Sequence, residues 1–348
     1  MVKNDNVFFI AEAGVNHNGN LELALELVNE AFKAGADAVK FQTFKADKLV
    51  KKGTAKVKYQ KLNDSHQDQY QMLKSLELDQ YQHNKIISLC KKLKIQFMST
   101  PFDVDSANFL VQSGMRIIKI PSGEITNFPL IENLTTYNVP IILSTGMSTL
   151  LEVSEAVSFI KKCRKKYGLS TNLKNFLTLL HCTSNYPTSL KDVNLRAMIT
   201  LKNKFALPVG YSDHTEGILI SIAAASLGAN VIEKHFTLDR SMPGPDHLSS
   251  IEPSELKELI KSIRSISVAM GLSEKKPVLK ENIIKKQVRR SITLIKKINK
   301  NEVFSSDHLL MLRPGYGIEP KFLKKVIGKK AARNISPGTT LKWKDIID

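Results

Sequence analysis

The chain is short of cysteine, of tryptophan and of long apolar runs. Its 3 cysteines in 348 residues, Cys90, Cys163 and Cys182, follow neither a disulfide framework nor a zinc-ligand spacing. Reduced thiols and a cytoplasmic location are therefore expected. No apolar run approaches the roughly 20 residues that a membrane-spanning helix needs. The N-terminus enters a short apolar strand without a signal-peptide pattern, so no membrane association is expected. Acidic residues are also scarce, 33 Asp plus Glu against 51 Lys plus Arg, for a formal net charge of +18. A nucleic-acid binder would gather such a surplus into a recognition motif or a basic strip interleaved with aromatics. Here the lysines are scattered over predicted helix faces, as at 161–166 and 321–330, and aromatics make up 7% of the chain. No nucleic-acid partner is expected; the charge would favour small anionic substrates.

What the chain does have is a regular alternation of short β-prone and longer helical segments. Strands are predicted at 7–11, 38–44, 96–100, 116–121, 140–145, 176–183, 208–211 and 230–235. Helical spacing follows each one, at 21–34, 81–92, 104–112, 130–137, 151–166, 195–204, 218–227 and 253–270. Eight such units read as α/β, a (β/α)8 TIM barrel, ending near residue 271. A polar insertion at 45–77, with a short helix near 67–75, interrupts the rhythm after the second strand and is expected to wall a site. Three segments are read in the chain: a catalytic barrel over 1–271, a linker over 272–286, and a small β-rich domain over 287–348. In the last, 291–304 reads as strand, turn and strand.

Polar residues collect at the C-terminal ends of the predicted strands, which share one mouth in such a barrel. In chain order they are Glu12, Lys40 with Gln42, Ser99 with Thr100, Lys119 with Ser122 and Glu124, Ser144 with Thr145, His181 to Thr183, Ser212 with His214, and Glu233 with His235. Lys119, between isoleucines, would be costly to bury without an anion beside it, and Lys40 invites the same reading. An ion-paired structural role stands beside the functional one for each lysine. His214 and His235 close successive strands and can converge on a divalent ion of intermediate hardness, Mn²⁺ or Mg²⁺. A structural zinc would want a fuller set of protein ligands. A carbonyl-polarising metal beside a bound phosphorylated carbon nucleophile suits an aldol-like condensation.

The segments IAEAGVNHNG, AVKFQTF, STPFD, KIPSGEITNFPLI, ILSTGM, LLHCTSNYPT, GYSDHT and IEKHFTLDRSMPGPDH occur in that order. Together they resemble the sialic acid synthase (N-acetylneuraminate synthase) family, whose C-terminal module is an antifreeze-like (SAF) domain. The likeness runs nearly end to end. It implies condensation of phosphoenolpyruvate with N-acetylmannosamine and water, giving N-acetylneuraminate and phosphate. It implies His214 and His235 as metal ligands, with Glu12 and Glu124 in catalysis. Phosphoenolpyruvate would lie against Lys40, Thr100, Lys119, Ser122, Ser144, Ser184 and Ser212. Where some relatives have Asn this chain has Ser184, so Ser184 and Asn185 both stand as phosphate contacts. The sugar would face Gln42, Tyr186 and Asp246, with Arg313 of the partner subunit in a domain-swapped homodimer.

Two other readings remain. One is the same reaction on a related sugar, giving legionaminic or pseudaminic acid, a choice set by the 45–77 insertion and the loop at 241–247. The other is a non-catalytic sugar-binding or coat polysaccharide protein. Retention of both histidines with Glu12, Glu124 and Lys119 opposes it, because a binding protein has no need of a Lewis acid.

Overall fold

A computed structural model describes residues 7–61 and 63–348. The chain divides into two compact units, Met1–Gly271 and Leu272–Asp348. The first unit runs β1 (Phe8–Gly14), α1 (Leu21–Ala34), β2 (Ala38–Thr43), α2 (Ala46–Leu49), α3 (Gln69–Ser75), α4 (Gln80–Leu93), β3 (Gln96–Pro101), α5 (Val104–Gln112), β4 (Ile118–Ile120) and α6 (Phe128–Thr136). It continues through β5 (Ile141–Ser144), α7 (Leu150–Lys166), β6 (Leu177–His181), α8 (Ala197–Phe205), β7 (Val209–Asp213), α9 (Leu219–Ser226), β8 (Val231–His235) and α10 (Pro253–Met270). The eight strands pair in parallel in the order β3-β2-β1-β8-β7-β6-β5-β4, and β3 lies beside β4 so that the ring nearly closes. This is the TIM-type barrel that the alternation predicts.

Local chemistry sets the helix ends. Asn20 caps α1 by accepting from the backbone N–H groups of Glu22 and Leu23, and Gly35, at φ 85°, lets the chain leave in the left-handed region. Between these ends Ala24, Leu27, Val28 and Ala31 recur at helical spacing and are buried against the barrel. Each Leu or Val buried this way contributes roughly 1.5–3 kcal/mol. Reciprocal capping boxes start α4 (Asp79 with Gln82) and α7 (Thr149 with Glu152).

The strand period of two decides what lies inside the ring. Ile10, Ala38, Met98, Ile117, Ile142, Leu180 and Val231 form one apolar cluster. Residues of the other parity, such as Phe9, Val39, Leu143, Leu179 and Ile232, join the larger core that includes the helix faces. Two residues further along from each member of the inner cluster, on the same side of the pleat, stand Glu12, Lys40, Thr100, Lys119, Ser144, Cys182 and Glu233. The barrel is thus apolar at its waist and polar one layer above it.

The insertion after β2 is anchored by its own small cluster, in which Val15, Phe44, Met72 and Leu76 pack together. Asn63 ties it to the loop after β8: its Nδ2 donates to the Met242 carbonyl at 2.7 Å, and its carbonyl accepts from the Gly244 N–H at 2.8 Å.

In the second unit α11 (Leu279–Val288) falls within and just past the stretch read as linker, and none of its residues is buried. β9 (Ser291–Leu294) pairs antiparallel with β10 (Leu309–Leu312), then α12 (Leu323–Val326) leads to the antiparallel pair β11 (Lys330–Ala331) and β12 (Ile346–Ile347). Ile292, Leu294, Ile298, Phe304, Leu309, Ile318, Val326 and Leu341 make its core. The second strand expected before residue 304 is reduced to isolated bridges, Ile298 with Ile335 and Val303 with Lys330. The polar turn between them, with Asn301 at φ 67°, breaks the extended run.

Candidate active site

A cavity of about 320 Å³ opens on the polar layer of the barrel. Its floor is a quartet of buried charges. Lys40 Nζ lies 2.7 Å from Glu12 Oε2 and 3.5 Å from Glu233 Oε2, and Lys119 Nζ donates to both Glu233 oxygens at 2.8 and 3.1 Å. Ser212 Oγ donates to Glu233 Oε1 at 2.8 Å, and Lys40 Nζ donates to Thr100 Oγ1 at 3.3 Å. The anion that each lysine was expected to meet is therefore a carboxylate of the chain itself.

These contacts move the protonation equilibria in opposite directions. Burial would raise Glu233, but Lys119 and Lys40 outweigh it and hold this carboxylate well below its ordinary range. Burial, partly offset by Lys40 and reinforced by Glu233, pushes Glu12 up to about 7. Burial pulls Lys119 down against the attraction of Glu233, whereas for Lys40 the two glutamates overcome burial and raise it. Two lysines and two carboxylates leave the floor neutral when all are ionised, and a proton on Glu12 leaves it with one positive charge. Such a floor suits an anionic ligand and can hold or yield a proton near neutral pH.

Hydroxyls line one side. Ser122 Oγ accepts from the Gly146 N–H at 2.9 Å and lies 3.2 Å from Cys182 Sγ. A Cβ on Gly146 would come within 2.4 Å of Ser184 Oγ and 2.9 Å of both Cys182 Sγ and Ser122 Oγ, so glycine is what lets these three side chains keep their places against the β5–α7 loop. Among the described residues the buried Ser144 Oγ has no hydrogen-bond partner. Hydroxyls, a backbone N–H and two lysines form a donor set that suits a phosphate or carboxylate.

The two imidazoles sit side by side at the ends of the neighbouring strands β7 and β8, with ring centroids 5.6 Å apart. His214 Nδ1 donates to the Thr183 carbonyl at 2.7 Å, which leaves Nε2 as the acceptor, and the Tyr186 hydroxyl donates to it at 2.9 Å. Burial lowers His214 to about 4; burial and then the neighbouring His214 lower His235. His235 Nδ1 is buried without a hydrogen-bond partner among the described residues, 4.0 Å from Asp246 Oδ2. Neutral imidazoles, one oriented by a backbone carbonyl and one with an orphaned nitrogen, have the chemistry of metal ligands. Among the described residues no group of three or more His, Cys, Asp or Glu is preassembled around one point. The donors fit an ion that draws its remaining ligands from water and substrate.

Glu12, Lys40, Gln42, Thr100, Lys119, Ser122, Ser144, Ser184, Tyr186, Ser212, His214 and His235, all singled out in the sequence, line this one cavity. Three others do not. Glu124 accepts from Asn127 Nδ2 at 2.6 Å in the turn after β4, Asp246 is buried behind His235, and Arg313 is exposed in the loop after β10. Ser184 lines this cavity and an adjoining one, and Asn185 lines only the adjoining one. Sequence reasoning missed the centrality of Glu233, which the alternation Val231, Glu233, His235 already places on the inner face. It also missed Tyr59, whose ring stacks on Tyr186 with centroids 5.0 Å apart. No local signal in the insertion distinguished Tyr59.

A model of the NeuB family matches residues 27–275, and a model of the SAF domain matches residues 289–347. The chain is 52% identical over 340 residues to the N,N'-diacetyllegionaminic acid synthase of Legionella pneumophila, covering 97% of this chain and 94% of that protein. It is 48% identical over 326 residues to the N,N'-diacetyllegionaminic acid synthase of Campylobacter jejuni, covering 93% and 96%. Among solved structures it resembles the N-acetylneuraminic acid (sialic acid) synthetase from Leptospira borgpetersenii in complex with citrate, with a TM-score of 0.70 and 36% identity, over 80% of this chain and 90% of that one.

Proposed function

The chain belongs to the NeuB family and carries a C-terminal SAF domain, and on that premise we propose that it condenses phosphoenolpyruvate with a diacetamido hexose and water to give N,N'-diacetyllegionaminic acid and phosphate. The reading of the reaction rests on one observation: a lysine–glutamate floor, a serine cradle and two neutral imidazoles share a single cavity. The sugar differs from the N-acetylmannosamine ranked first from the sequence. Identity of 52% to a diacetyllegionaminate synthase, against 36% to a neuraminate synthetase, favours the diacetamido substrate.

In this reading Lys119, Lys40 and the hydroxyls of Thr100, Ser122, Ser144, Ser184 and Ser212 hold the phosphate and carboxylate of phosphoenolpyruvate. That fixes C3 of the enol towards the sugar aldehyde. His214 and His235 would hold a divalent ion, Mn²⁺ or Mg²⁺, which would supply Lewis-acid polarisation of the aldehyde oxygen. After C3 attacks C1 of the sugar, water adds at C2 and the C–O bond to phosphate breaks. Glu12 is the carboxyl suited to proton traffic there, since its pKa of about 7 lets it act in either form. Glu124, which follows the lining residues Ser122 and Gly123 and accepts from Asn127, is the second carboxyl proposed for catalysis. Tyr186, Gln42 and Tyr59 are disposed to face the sugar.

A domain-swapped homodimer, with Arg313 of the partner subunit at the sugar's N-acyl end, belongs to the same proposal. It is supported by α11, which leaves Leu279, Ile283 and Ile284 exposed; a ten-residue helix is marginal in water unless something packs on it. The proposed location is cytoplasmic. Among the described residues no helix is long and apolar enough to cross a membrane.

The test is phosphate release from phosphoenolpyruvate by the purified protein with Mn²⁺ and a sugar panel. Release is expected only with sugar present, and with the highest kcat/KM for the legionaminate-type diacetamido hexose. A preference for N-acetylmannosamine or a pseudaminate-type isomer would reassign the sugar. No release with any sugar would sink the synthase reading and revive a non-catalytic role.

A further inference from the structure

Behind the two imidazoles, on the outward faces of β7 and β8, lies an ion pair with no solvent exposure. Asp213 and Lys234 are register partners across the ladder, Lys234 Nζ is 3.1 Å from Asp213 Oδ2, and both side chains are 0% exposed. Each immediately precedes one of the two histidines, so strand alternation turns the pair outward while His214 and His235 sit at the mouth. Asp213 also shapes the chain around His214. Its Oδ1 accepts from the Thr215 N–H at 2.9 Å and from Thr215 Oγ1 at 2.8 Å, and its Oδ2 accepts from Ser221 Oγ at 2.6 Å. Lys234 Nζ in turn donates to the Thr215 carbonyl. The side chain at 213 thus closes an Asx turn in which His214 is the middle residue, and the lysine that precedes His235 clamps both the carboxylate and the turn.

We propose that Asp213 and Lys234 are positioning residues that staple the ends of β7 and β8 and so fix the separation and aim of His214 and His235 as a divalent-metal site. A fully buried ion pair is a poor source of net stability, because desolvation consumes most of its attraction, and apolar replacements are often as stable. Geometry is what this pair contributes that an apolar pair would not. Partners that orient metal-ligating histidines are worth about tenfold to a hundredfold in metal affinity.

The inference rests on the metal reading of the two histidines, and the experiment separates the two. Mn²⁺ binding to the metal-free full-length protein is followed by loss of the free-ion electron paramagnetic resonance signal, with no substrate present. Wild type should bind and His235→Ala should not. The combination Asp213→Leu with Lys234→Met, which removes both charges and the turn acceptor together, should keep the melting temperature within a few degrees and weaken Mn²⁺ binding about tenfold or more. Steady-state kinetics should show the apparent activation constant for Mn²⁺ rising, with the KM for phosphoenolpyruvate unchanged. Asp213→Asn with Lys234→Met restores the turn acceptor without the charges and should recover part of the affinity. Wild-type affinity in the Leu/Met protein would overturn the staple. If that protein does not fold, Asp213→Asn alone decides: a loss of threefold or more supports the staple and unchanged binding overturns it. Absence of binding by the wild type would overturn the metal reading and the staple with it.

Discussion

The Tyr186 hydroxyl occupies His214 Nε2, at 2.9 Å, the nitrogen left free to bind a metal once Nδ1 is committed to the Thr183 carbonyl. An incoming ion must displace that hydrogen bond. Tyr186 is also wedged between rings, with centroids 4.1 Å from His214, 5.7 Å from His235 and 5.0 Å from Tyr59.

Removing the hydroxyl but keeping the ring should therefore help the metal and hurt the sugar. A buried hydrogen bond of this kind is worth about 1 kcal/mol net, or roughly fivefold in an equilibrium constant. Tyr186→Phe is expected to tighten Mn²⁺ binding by about that factor while raising the KM for the sugar. Mn²⁺ titration and steady-state kinetics on the same preparation check both, and weaker Mn²⁺ binding would show that the hydroxyl assists the ion.

Lys119 offers a different kind of test, since it is the principal partner of Glu233. Lys119→Met leaves Glu233 buried with Ser212 and the more distant Lys40. Breaking a buried pair from one side costs about 3–5 kcal/mol. The expected result is a lower urea midpoint together with loss of phosphate release. Lys119→Met with Glu233→Gln, which removes both charges, should recover most of the stability and none of the activity. If the double variant stayed as unstable as the single one, the stability loss would come from packing and not from the orphaned carboxylate.

How much of this could be read from the sequence differs by layer. The barrel was legible because every strand is short, most of the longer helices carry their own N-cap residue, and the polar layer follows from a period of two. Pairings between distant strands were not. Nothing local to Lys119 says that its anion is Glu233, 114 residues on. The insertion hid Tyr59 for the same reason: its place over Tyr186 depends on Asn63 docking on the loop after β8. Most of α11 read as linker because helical propensity without a buried face carries little periodic signal.

Acid should destabilise the barrel through its buried histidines, and a cluster of them away from the imidazole pair adds to the effect of His214 and His235. His17 is buried, accepts from the Gly19 N–H at Nδ1, and leaves Nε2 without a hydrogen-bond partner among the described residues. Burial, then the charges of His83 and His247, lower it to about 3; burial also lowers His83, and lowers His247 to about 4. The folded state binds these protons more weakly than the unfolded state, so the stability they contribute is full above pH 6.5 and is lost as pH falls towards these values. Each such group contributes a slope of about 1.4 kcal/mol per pH unit within its window. Urea midpoints from pH 7.5 to 5 should fall, and His17→Gln should flatten the curve by about one proton. An unaltered slope in that variant would remove His17 from the account.

The serine cradle can be filled without touching any charge. A methyl at Gly146 would meet Ser184 Oγ at 2.4 Å and Ser122 Oγ and Cys182 Sγ at 2.9 Å. All three are ends of short side chains that can rotate away, so Gly146→Ala should fold, with a melting temperature within a few degrees of wild type. What cannot survive is the arrangement: Ser122 loses its place on the Gly146 N–H, and Ser184 is turned from the cavity. If these hydroxyls hold the phosphate, the KM for phosphoenolpyruvate should rise tenfold or more. That is the loss of about 1.4 kcal/mol expected from one charge-assisted hydrogen bond. Mn²⁺ affinity and the KM for the sugar should barely move, because none of the three atoms nearest the methyl belongs to an imidazole or to Tyr186. An equal rise in both KM values would mean that the methyl deforms the whole mouth, and an unchanged phosphoenolpyruvate KM would place the phosphate elsewhere on the Lys40 and Lys119 floor.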